Sequence, residues 1–148
     1  MPGVAPDLGS AAFQVVYRAI SHGLIRSCHD LSEGGLAVAL AEMAFAGGLG
    51  ATVSLRDVPC EDDAALDPVL LFSESPSRFL LEVPPQHYAV LADLVGGLPM
   101  GRLGEVISGV SSAGSCDHRL TVTGLGGTVV IDAEIADLKK SWQERLCW

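Results

Sequence analysis

The chain has 148 residues, of which 49% are apolar and 18% are charged. This length suits one ordinary domain with its own core, and so apolar a composition argues against intrinsic disorder. The net charge of −9 opposes nucleic-acid backbones and anionic membranes, so we expect neither as a partner.

Cysteine use and the N-terminus indicate the compartment. The four cysteines are Cys28, Cys60, Cys116 and Cys147. They form no CxxC pair, and residues 1–6 lack the basic start and apolar core of a signal peptide. The most apolar stretch, 36–46, is interrupted by Glu42 and is too short to cross a bilayer. We therefore expect a cytoplasmic protein with free thiols.

The first half of the chain predicts alternating helices and strands. The expected elements are a helix from Asp7 to about Ser21, a strand at 24–28, a helix at 32–46 and a strand at 51–55. The apolar stripe of the first helix consists of Leu8, Ala12, Val15 and Ala19. Asp7 is the expected N-cap of that helix and Gly23 its stop, and the second helix ends at two glycines.

The second half begins with an acidic, proline-containing loop at 56–68. The expected elements are then a short helix at 67–72, a strand at 78–83, a helix opened by Pro84-Pro85, a strand at 103–107 and a hairpin with strands at 119–123 and 128–132. The closing helix carries a stripe of Ile135, Leu138, Trp142 and Leu146. Helices mixed with strands, one pair of them antiparallel, predict an α/β (α+β) fold with a mixed β-sheet flanked by helices.

One polar segment directly precedes the second helix. It runs His29-Asp30-Leu31-Ser32-Glu33-Gly34-Gly35-Leu36. Ser32 can cap the helix, and the two glycines indicate that something approaches the backbone closely. The exposed N–H groups suit a phosphate or carboxylate, whereas Asp30 and Glu33 suit hydroxyl donors or Mg²⁺. The alternative is an ordinary capped helix whose glycines allow close packing.

The second helix is apolar almost all round, with Glu42 its one charged residue. Such a helix lies at the centre of its domain or is covered by another domain or chain. Both interpretations remain open from the sequence.

Two further segments are distinctive. The turn Ser73-Glu74-Ser75 between an apolar run and a strand can hydrogen-bond a sugar or an amide, or it is a solvated turn with Arg78 pairing Glu74. Residues 102–106 predict a strand in which Gly104 allows a close approach or a bulge.

The sequence contains no Walker A loop, no GxGxxG after a strand, no GxSxG elbow and no zinc-ligand spacing. Cys28 and His29 are adjacent in sequence, and neighbours on a strand point to opposite faces, so they make a poor nucleophilic pair.

These segments resemble the phosphoribosylformylglycinamidine synthases. Residues 29–43 resemble the family's H-D-x-S-D-G-G-L block and its helix, residues 71–75 followed by Arg78 resemble its G/S-E-S-Q turn, and residues 102–106 resemble its I-G-E-V strand. The resemblance covers nearly the whole chain. It implies a fold like the C-terminal domain of aminoimidazole ribonucleotide synthetase, with residues 1–148 as the last domain of a longer synthase.

The resemblance also implies a function. The family's enzymes use ATP and Mg²⁺ to convert formylglycinamide ribonucleotide and glutamine-derived ammonia to the amidine, in purine biosynthesis. The site is shared with a nucleotide-binding N-terminal domain that holds most of the ATP and Mg²⁺, and a glutaminase supplies the ammonia. The isolated chain is therefore expected to be inactive.

The resemblance assigns substrate or nucleotide binding to one set of residues and assigns neither a catalytic residue nor a firm metal ligand. The set is His29, Asp30, Ser32, Glu33, Gly34, Gly35, Ser73, Glu74 and Ser75. Glu33 stands where the family has Asp, and Pro76 stands where it has Gln, which removes an amide donor and acceptor. The alternatives are the matching domain of aminoimidazole ribonucleotide synthetase, selenophosphate synthetase or thiamine monophosphate kinase, or a non-catalytic scaffold domain lining an auxiliary nucleotide site.

Overall fold

A computed structural model describes residues 6–60, 66–107 and 118–144. In chain order the elements are α1 (Pro6–Ser21), β1 (Ser27–Asp30), α2 (Gly35–Gly47), β2 (Gly50–Ser54), α3 (Asp67–Phe72), β3 (Phe79–Glu82), α4 (Tyr88–Val95), β4 (Gly104–Ile107), β5 (Arg119–Thr123), β6 (Val129–Glu134) and α5 (Ile135–Gln143). Short 3₁₀ helices occupy Leu55–Asp57 and Pro85–His87. Within the described ranges, no helix is long and apolar enough to cross a membrane.

The chain divides into two compact units. The first comprises Met1–Ala39 with Leu71–Met100, and the second comprises Leu40–Leu70 with Gly101–Trp148.

In the first unit, β1 pairs with β3 in an antiparallel ladder that runs from Ser27 opposite Glu82 to Asp30 opposite Phe79. The Ser27 hydroxyl donates a 2.9 Å hydrogen bond to the Glu82 carboxylate across this ladder. The unit's core cluster consists of buried Ala19, Leu24 and Leu91, with Ile25, Leu81, Val83, Leu94 and Val95 packed against it. This core packs α1 and α4 against the β1–β3 strand pair, and it thereby holds β1 in place.

In the second unit, four strands form a mixed sheet in the order β4-β2-β5-β6. The central pair β2–β5 is parallel, and both outer pairs are antiparallel. Leu120 and Val122 are fully buried on β5. Gly104 lies directly against the backbone of Thr52 and Val53, where a Cβ atom would collide. The expected close approach at this glycine is therefore confirmed.

The hairpin β5–β6 carries a charged ladder. Arg119 lies 2.7 Å from an Asp132 carboxylate oxygen and 3.3 Å from a Glu134 carboxylate oxygen. Both acids are on the strand paired with the arginine, so the ladder supports the register of the hairpin by a modest amount, as half-exposed ion pairs do.

The closing helix α5 packs through its apolar stripe. Ile135 is buried, and Leu138 is half-buried. Trp142 is 62% exposed, yet its ring centroid lies 5.7 Å from that of Phe45 and its indole N–H donates a 2.9 Å hydrogen bond to Glu42. Leu146, the last expected member of the stripe, lies outside the described residues.

The expected fold class is confirmed, although the described strands form two sheets and not one. Several expected bounds were wrong. The strand expected at 24–28 begins at Ser27, because Leu24 is buried in the core before the ladder with β3 starts. The stripe expected on α1 was also partly wrong, because Ala19 is buried whereas Leu8 is exposed.

The question left open about α2 is answered by its burial. Every residue from Gly35 to Phe45 is buried or half-buried. The structure therefore favours the interpretation of α2 as a central helix, and the helix needs no missing partner to leave solvent.

We expect Trp142→Ala to lower the free energy of unfolding by about 1–2 kcal/mol, because it removes both the ring contact and the hydrogen bond. Trp142→Phe keeps an aromatic ring and should cost about 0.5–1 kcal/mol. Urea unfolding of both variants, with Lys139→Ala as a control on the same helix, measures the difference. Equal stability of Trp142→Ala and the native chain would contradict this packing of α5.

Candidate functional site

The two faces of β1 carry different side chains. Cys28 and Asp30 are exposed on one face, while Ser27 and His29 are half-buried on the other. The His29 ring Nδ1 lies 2.6 Å from the backbone oxygen of Asp30. Adjacent residues of the H-D pair therefore point in opposite directions, as the strand period requires.

The chain turns sharply between β1 and α2. The Gly35 N–H donates a 3.0 Å hydrogen bond to the Ser32 carbonyl. Gly34 and Gly35 have φ of 78° and 62°, in the left-handed region that residues with a Cβ rarely adopt. A residue with such a φ does not fit inside a helix, so Gly34 lies before α2 and Gly35 is its first residue, and the expected start of this helix at Ser32 was wrong.

Gly35 also meets another stretch of backbone. A Cβ atom on Gly35 would lie 2.8 Å from the carbonyl oxygens of Leu71 and Ser73, and 2.9 Å from the carbonyl carbon of Phe72. These distances are shorter than any ordinary contact. The approaching group is the chain's own segment at the end of α3, so at Gly35 the structure agrees with the alternative in which the glycines allow close packing.

A side-chain hydrogen bond joins the same two segments. The Gly34 N–H donates to the Glu74 carboxylate Oε1 at 2.9 Å, across 40 residues of sequence. The Ser73 and Ser75 hydroxyls are 2.8 Å apart, and the Arg78 guanidinium donates a 3.0 Å hydrogen bond to the Ser73 carbonyl. Glu74 thus accepts a hydrogen bond from the N–H directly before α2, where we expected Ser32 to act as the cap.

The two segments border a cleft of about 580 Å³ in the first unit, which we call the β1 cleft. Its lining residues are Phe13, Ile20, Cys28, Asp30, Leu31, Ser32, Glu74, Pro76, Ser77, Arg78 and Phe79. The rings of Phe13 and Phe79 meet edge to face, with centroids 5.3 Å apart. Ser77 has φ of 65°, an uncommon conformation for serine at the rim of a cleft. The β1 cleft therefore has an aromatic wall and a wall of hydrogen-bond acceptors.

The structure divides the expected site residues into two groups. Asp30, Ser32 and Glu74 line the β1 cleft. The other expected residues do not line it: His29, Glu33, Gly34, Gly35, Ser73 and Ser75. The site assignment itself stays a prediction.

Sequence reasoning missed the aromatic wall. Phe13, Tyr17 and Ile20 recur at the spacing of a helical stripe, and all three are exposed, at 59%, 71% and 55%. A second apolar stripe on α1, beside the buried one, could have indicated this wall from the sequence, because an ordinary surface helix has only one apolar face.

The acidic groups of the cleft do not assemble into a metal centre. Within the described residues, no group of three or more His, Cys, Asp or Glu side chains could hold a metal ion. Cys28 and Cys60 are free thiols. Partial burial, and then the charge of Asp30 on the same face of β1, raise the pKa of the Cys28 thiol above its usual value.

Comparison with known proteins identifies the class. Residues 4–117 match the family described as AIR synthase related protein, C-terminal domain, and the chain belongs to that family.

Particular relatives narrow the likeness further. The chain is 37% identical to the phosphoribosylformylglycinamidine synthase subunit PurL of Synechocystis sp., over 96% of this chain and 17% of that protein. It is also 37% identical to the same subunit of Thermobifida fusca, over 98% of this chain and 17% of that protein. The resemblance noted from the sequence is therefore confirmed, and the chain spans about a sixth of these relatives' length.

Two solved structures share the fold. PurL of Thermotoga maritima complexed with FGAR matches with a TM-score of 0.76 and 23% identity, over 91% of this chain and 21% of that one. The same protein complexed with ATP matches with a TM-score of 0.71 and 23% identity, over 86% and 21%. At this identity the likeness concerns the fold alone.

We expect Gly35→Ala to lower the free energy of unfolding by about 2–4 kcal/mol, because the residue has a positive φ and no space for a Cβ. Gly47→Ala, at the end of the same helix with open space around it, should change stability by less than about 1 kcal/mol. Thermal and urea unfolding measure both. A Gly35→Ala variant as stable as Gly47→Ala would show that the segments do not meet at this position.

The raised pKa of Cys28 predicts pH-dependent alkylation. In a variant with Cys28 as the single thiol, half-maximal iodoacetamide reactivity should fall above the pH typical of cysteine, because the thiolate is the reactive form. Asp30→Asn removes the neighbouring negative charge and should shift this profile to lower pH. An unchanged profile would place Asp30 away from the thiol.

Proposed function

We propose that this chain is the C-terminal part of an ATP-dependent ligase that forms formylglycinamidine ribonucleotide from formylglycinamide ribonucleotide and ammonia. The observation that carries the proposal is the joining of residues 29–35 to residues 71–78 beside one cleft, through the contact at Gly35 and the Gly34–Glu74 hydrogen bond. These are the segments that resemble the synthase motifs. The relatives that carry this name support the proposal.

The proposed reaction sets the task of the cleft. An amide is a poor electrophile until its oxygen becomes a leaving group, so ATP phosphorylates that oxygen and ammonia then displaces phosphate. In the proposal, Asp30 and Ser32 accept hydrogen bonds from the hydroxyl or amide groups of the substrate and orient it. The Phe13 and Phe79 rings limit the access of water, which would compete with ammonia.

The ATP and Mg²⁺ belong mostly to another part of the enzyme in this proposal. The PurL complex with ATP supports a nucleotide-binding enzyme. In the β1 cleft, the described acids are Asp30 and Glu74, and Glu74 already accepts a hydrogen bond from Gly34. Mg²⁺ is usually bound by one or two carboxylates together with waters and the phosphates of its nucleotide, so in the proposal the nucleotide-binding domain that holds ATP also holds most of the metal's ligands.

The same domain is the proposed partner of α1. The exposed stripe on α1 consists of Phe13, Tyr17 and Ile20, and Phe13 and Ile20 also line the β1 cleft. An exposed apolar patch beside a cleft is typical of an interaction surface. A glutaminase domain or subunit would deliver ammonia. The proposal puts the assembled purine-biosynthesis enzyme in the cytoplasm, which agrees with the free thiols Cys28 and Cys60.

A scaffold role in an auxiliary nucleotide site is the second candidate. It is favoured by the internal use of Glu74 and by Pro76 in place of the family's glutamine. In that case the residues 29–35 and 71–78 would hold the domain together without contacting the substrate.

A chimera separates the two candidates. The PurL subunit of Thermobifida fusca, with its matching segment replaced by this chain, is assayed with formylglycinamide ribonucleotide, ATP, Mg²⁺ and ammonium. Asp30→Asn and Ser32→Ala should each lower kcat/KM roughly 10- to 100-fold, the effect of losing a hydrogen bond to a charged or transition-state group. Asp93→Asn, an exposed acid of α4 that does not line the cleft, is the matched control and should leave activity unchanged.

Two outcomes would count against the ligase proposal. Product formation by the isolated 148-residue chain would refute the division of the site between two domains. Full activity of a folded chimera carrying Asp30→Asn and Ser32→Ala would assign the cleft a scaffold role.

A further inference from the structure

We propose that Ser77 is a positioning residue of the β1 cleft: its contact with Gly9 of α1 fixes the turn at residues 73–78, which carries the polar wall of the cleft. Ser77 acts through this turn. The contact lies within the first unit and can be tested on the chain alone, whereas its effect on turnover rests on the proposed ligase function.

The backbone of Ser77 has an unfavourable conformation. Among the described residues, Ser77 is the one non-glycine residue with a positive φ, which is 65°. Residues with a Cβ disfavour this left-handed region, and they hold it where the surrounding structure imposes it, often beside binding sites. The groups packed against Ser77 are therefore the place to look for what imposes it.

The group that meets the Ser77 side chain is Gly9, which is buried on α1. A Cβ atom on Gly9 would lie 2.8 Å from the Ser77 hydroxyl oxygen and 3.6 Å from the Ser77 Cβ atom. The first distance is a collision, whereas the second is an ordinary contact. Glycine is a weaker helix former than alanine, so the space that the Ser77 hydroxyl occupies explains a glycine on this face of α1.

A second contact lies one helical turn further along α1. Phe13 follows Gly9 by four residues, Phe79 follows Ser77 by two, and the two rings meet edge to face with centroids 5.3 Å apart. Residues four apart on a helix are about 5–6 Å apart, and two residues of chain span at most about 7 Å, so the two spacings match. Three of these four residues line the β1 cleft. The two contacts together fix α1 along this wall.

The residue after Ser77 is held in place by the strand pair and by the turn. The Arg78 carbonyl accepts a 3.0 Å hydrogen bond from the Leu31 N–H, and the Arg78 guanidinium donates to the Ser73 carbonyl. Because Arg78 is held, the φ of Ser77 sets the direction in which residues 73–76 lie relative to it. The members of that stretch that line the cleft are Glu74 and Pro76.

A double-mutant cycle tests the contact. Ser77→Ala makes room at Gly9, so in that background Gly9→Ala should raise the folding constant about three- to five-fold through the helix propensity of alanine. In the native background the new methyl group displaces the hydroxyl, so the same substitution should lower the folding constant or leave it unchanged. Urea unfolding measures both effects. Additive effects of the two substitutions would refute the contact.

Gly47→Ala is the matched control for this cycle. Gly47 is the last residue of α2, and no described atom lies within 4 Å of a Cβ atom placed there. The effect of Gly47→Ala on the folding constant should therefore be the same with and without Ser77→Ala. A coupling as large as that of Gly9 would show that Ser77→Ala changes the response to any such substitution, and it would overturn the inference.

Alkylation of Cys28 reports on the position of the wall, because Cys28 also lines the β1 cleft. With Cys28 as the single thiol, Gly9→Ala should change the rate of reaction with iodoacetamide at fixed pH by about two-fold or more, since access to the thiol changes. Adding Ser77→Ala should restore the native rate, because the methyl group then packs against a Cβ atom. An unchanged rate in folded Gly9→Ala protein would show that the contact does not position the wall.

The effect on turnover is measured in the Thermobifida fusca chimera. Gly9→Ala should raise the KM for formylglycinamide ribonucleotide about three-fold or more with kcat retained, because a displaced wall weakens binding of the ground state and the transition state alike. Ser77→Ala should reverse this rise. A native chimera without activity would refute the proposed function and not the contact, whereas an active chimera whose KM does not respond to Gly9→Ala would refute the positioning role.

Discussion

The first unit depends on one close contact, the approach of the Leu71–Ser73 backbone to Gly35. Only a residue without a Cβ permits that distance, and only a residue free to adopt a positive φ permits the turn that precedes α2. The contact fixes where α2 begins and where residues 73–78 run. The hydrogen bond from the Gly34 N–H to Glu74 and the polar wall of the β1 cleft both follow from it.

Local sequence patterns were sufficient to predict most of the helices and strands. The helix at 67–72, the strand near 78–83 and the hairpin with its glycine-rich turn lie where composition and periodicity indicated. Each of these elements is specified by residues close to it in the sequence. The signals are a proline or glycine that ends an element, the alternation of apolar and polar residues along a strand, and a glycine-rich turn between two strands. The pairing of strands is harder to predict, because the residues of one strand do not specify which other strand it pairs with. The separation of β1–β3 from the four-stranded sheet could not be deduced from one sequence.

The site was predictable in part for the same reason. The Gly34–Gly35 pair indicated a close approach to the backbone. Two adjacent glycines at the start of a helix lower its stability, so their presence suggests that a larger side chain would not fit. The identity of the approaching segment depends on residues far away in the sequence, and so does the hydrogen bond from the Gly34 N–H to Glu74. For α2 the sequence left open whether the helix is central or covered by a partner. The hydrophobicity of a helix depends only on its own residues, whereas its exposure depends on which other elements cover it. The exposed apolar stripe of this structure is on α1.

The parallel pairing of β2 with β5 has a consequence for how the chain folds. It joins residues 51–54 to residues 120–123, so its loop-closure entropy must be lost before its hydrogen bonds and the burial of Val122 offset that loss. The hairpin β5–β6, whose strands are neighbours in sequence, meets no such barrier. We therefore expect the hairpin to form before β2 joins it, because non-local pairing slows folding.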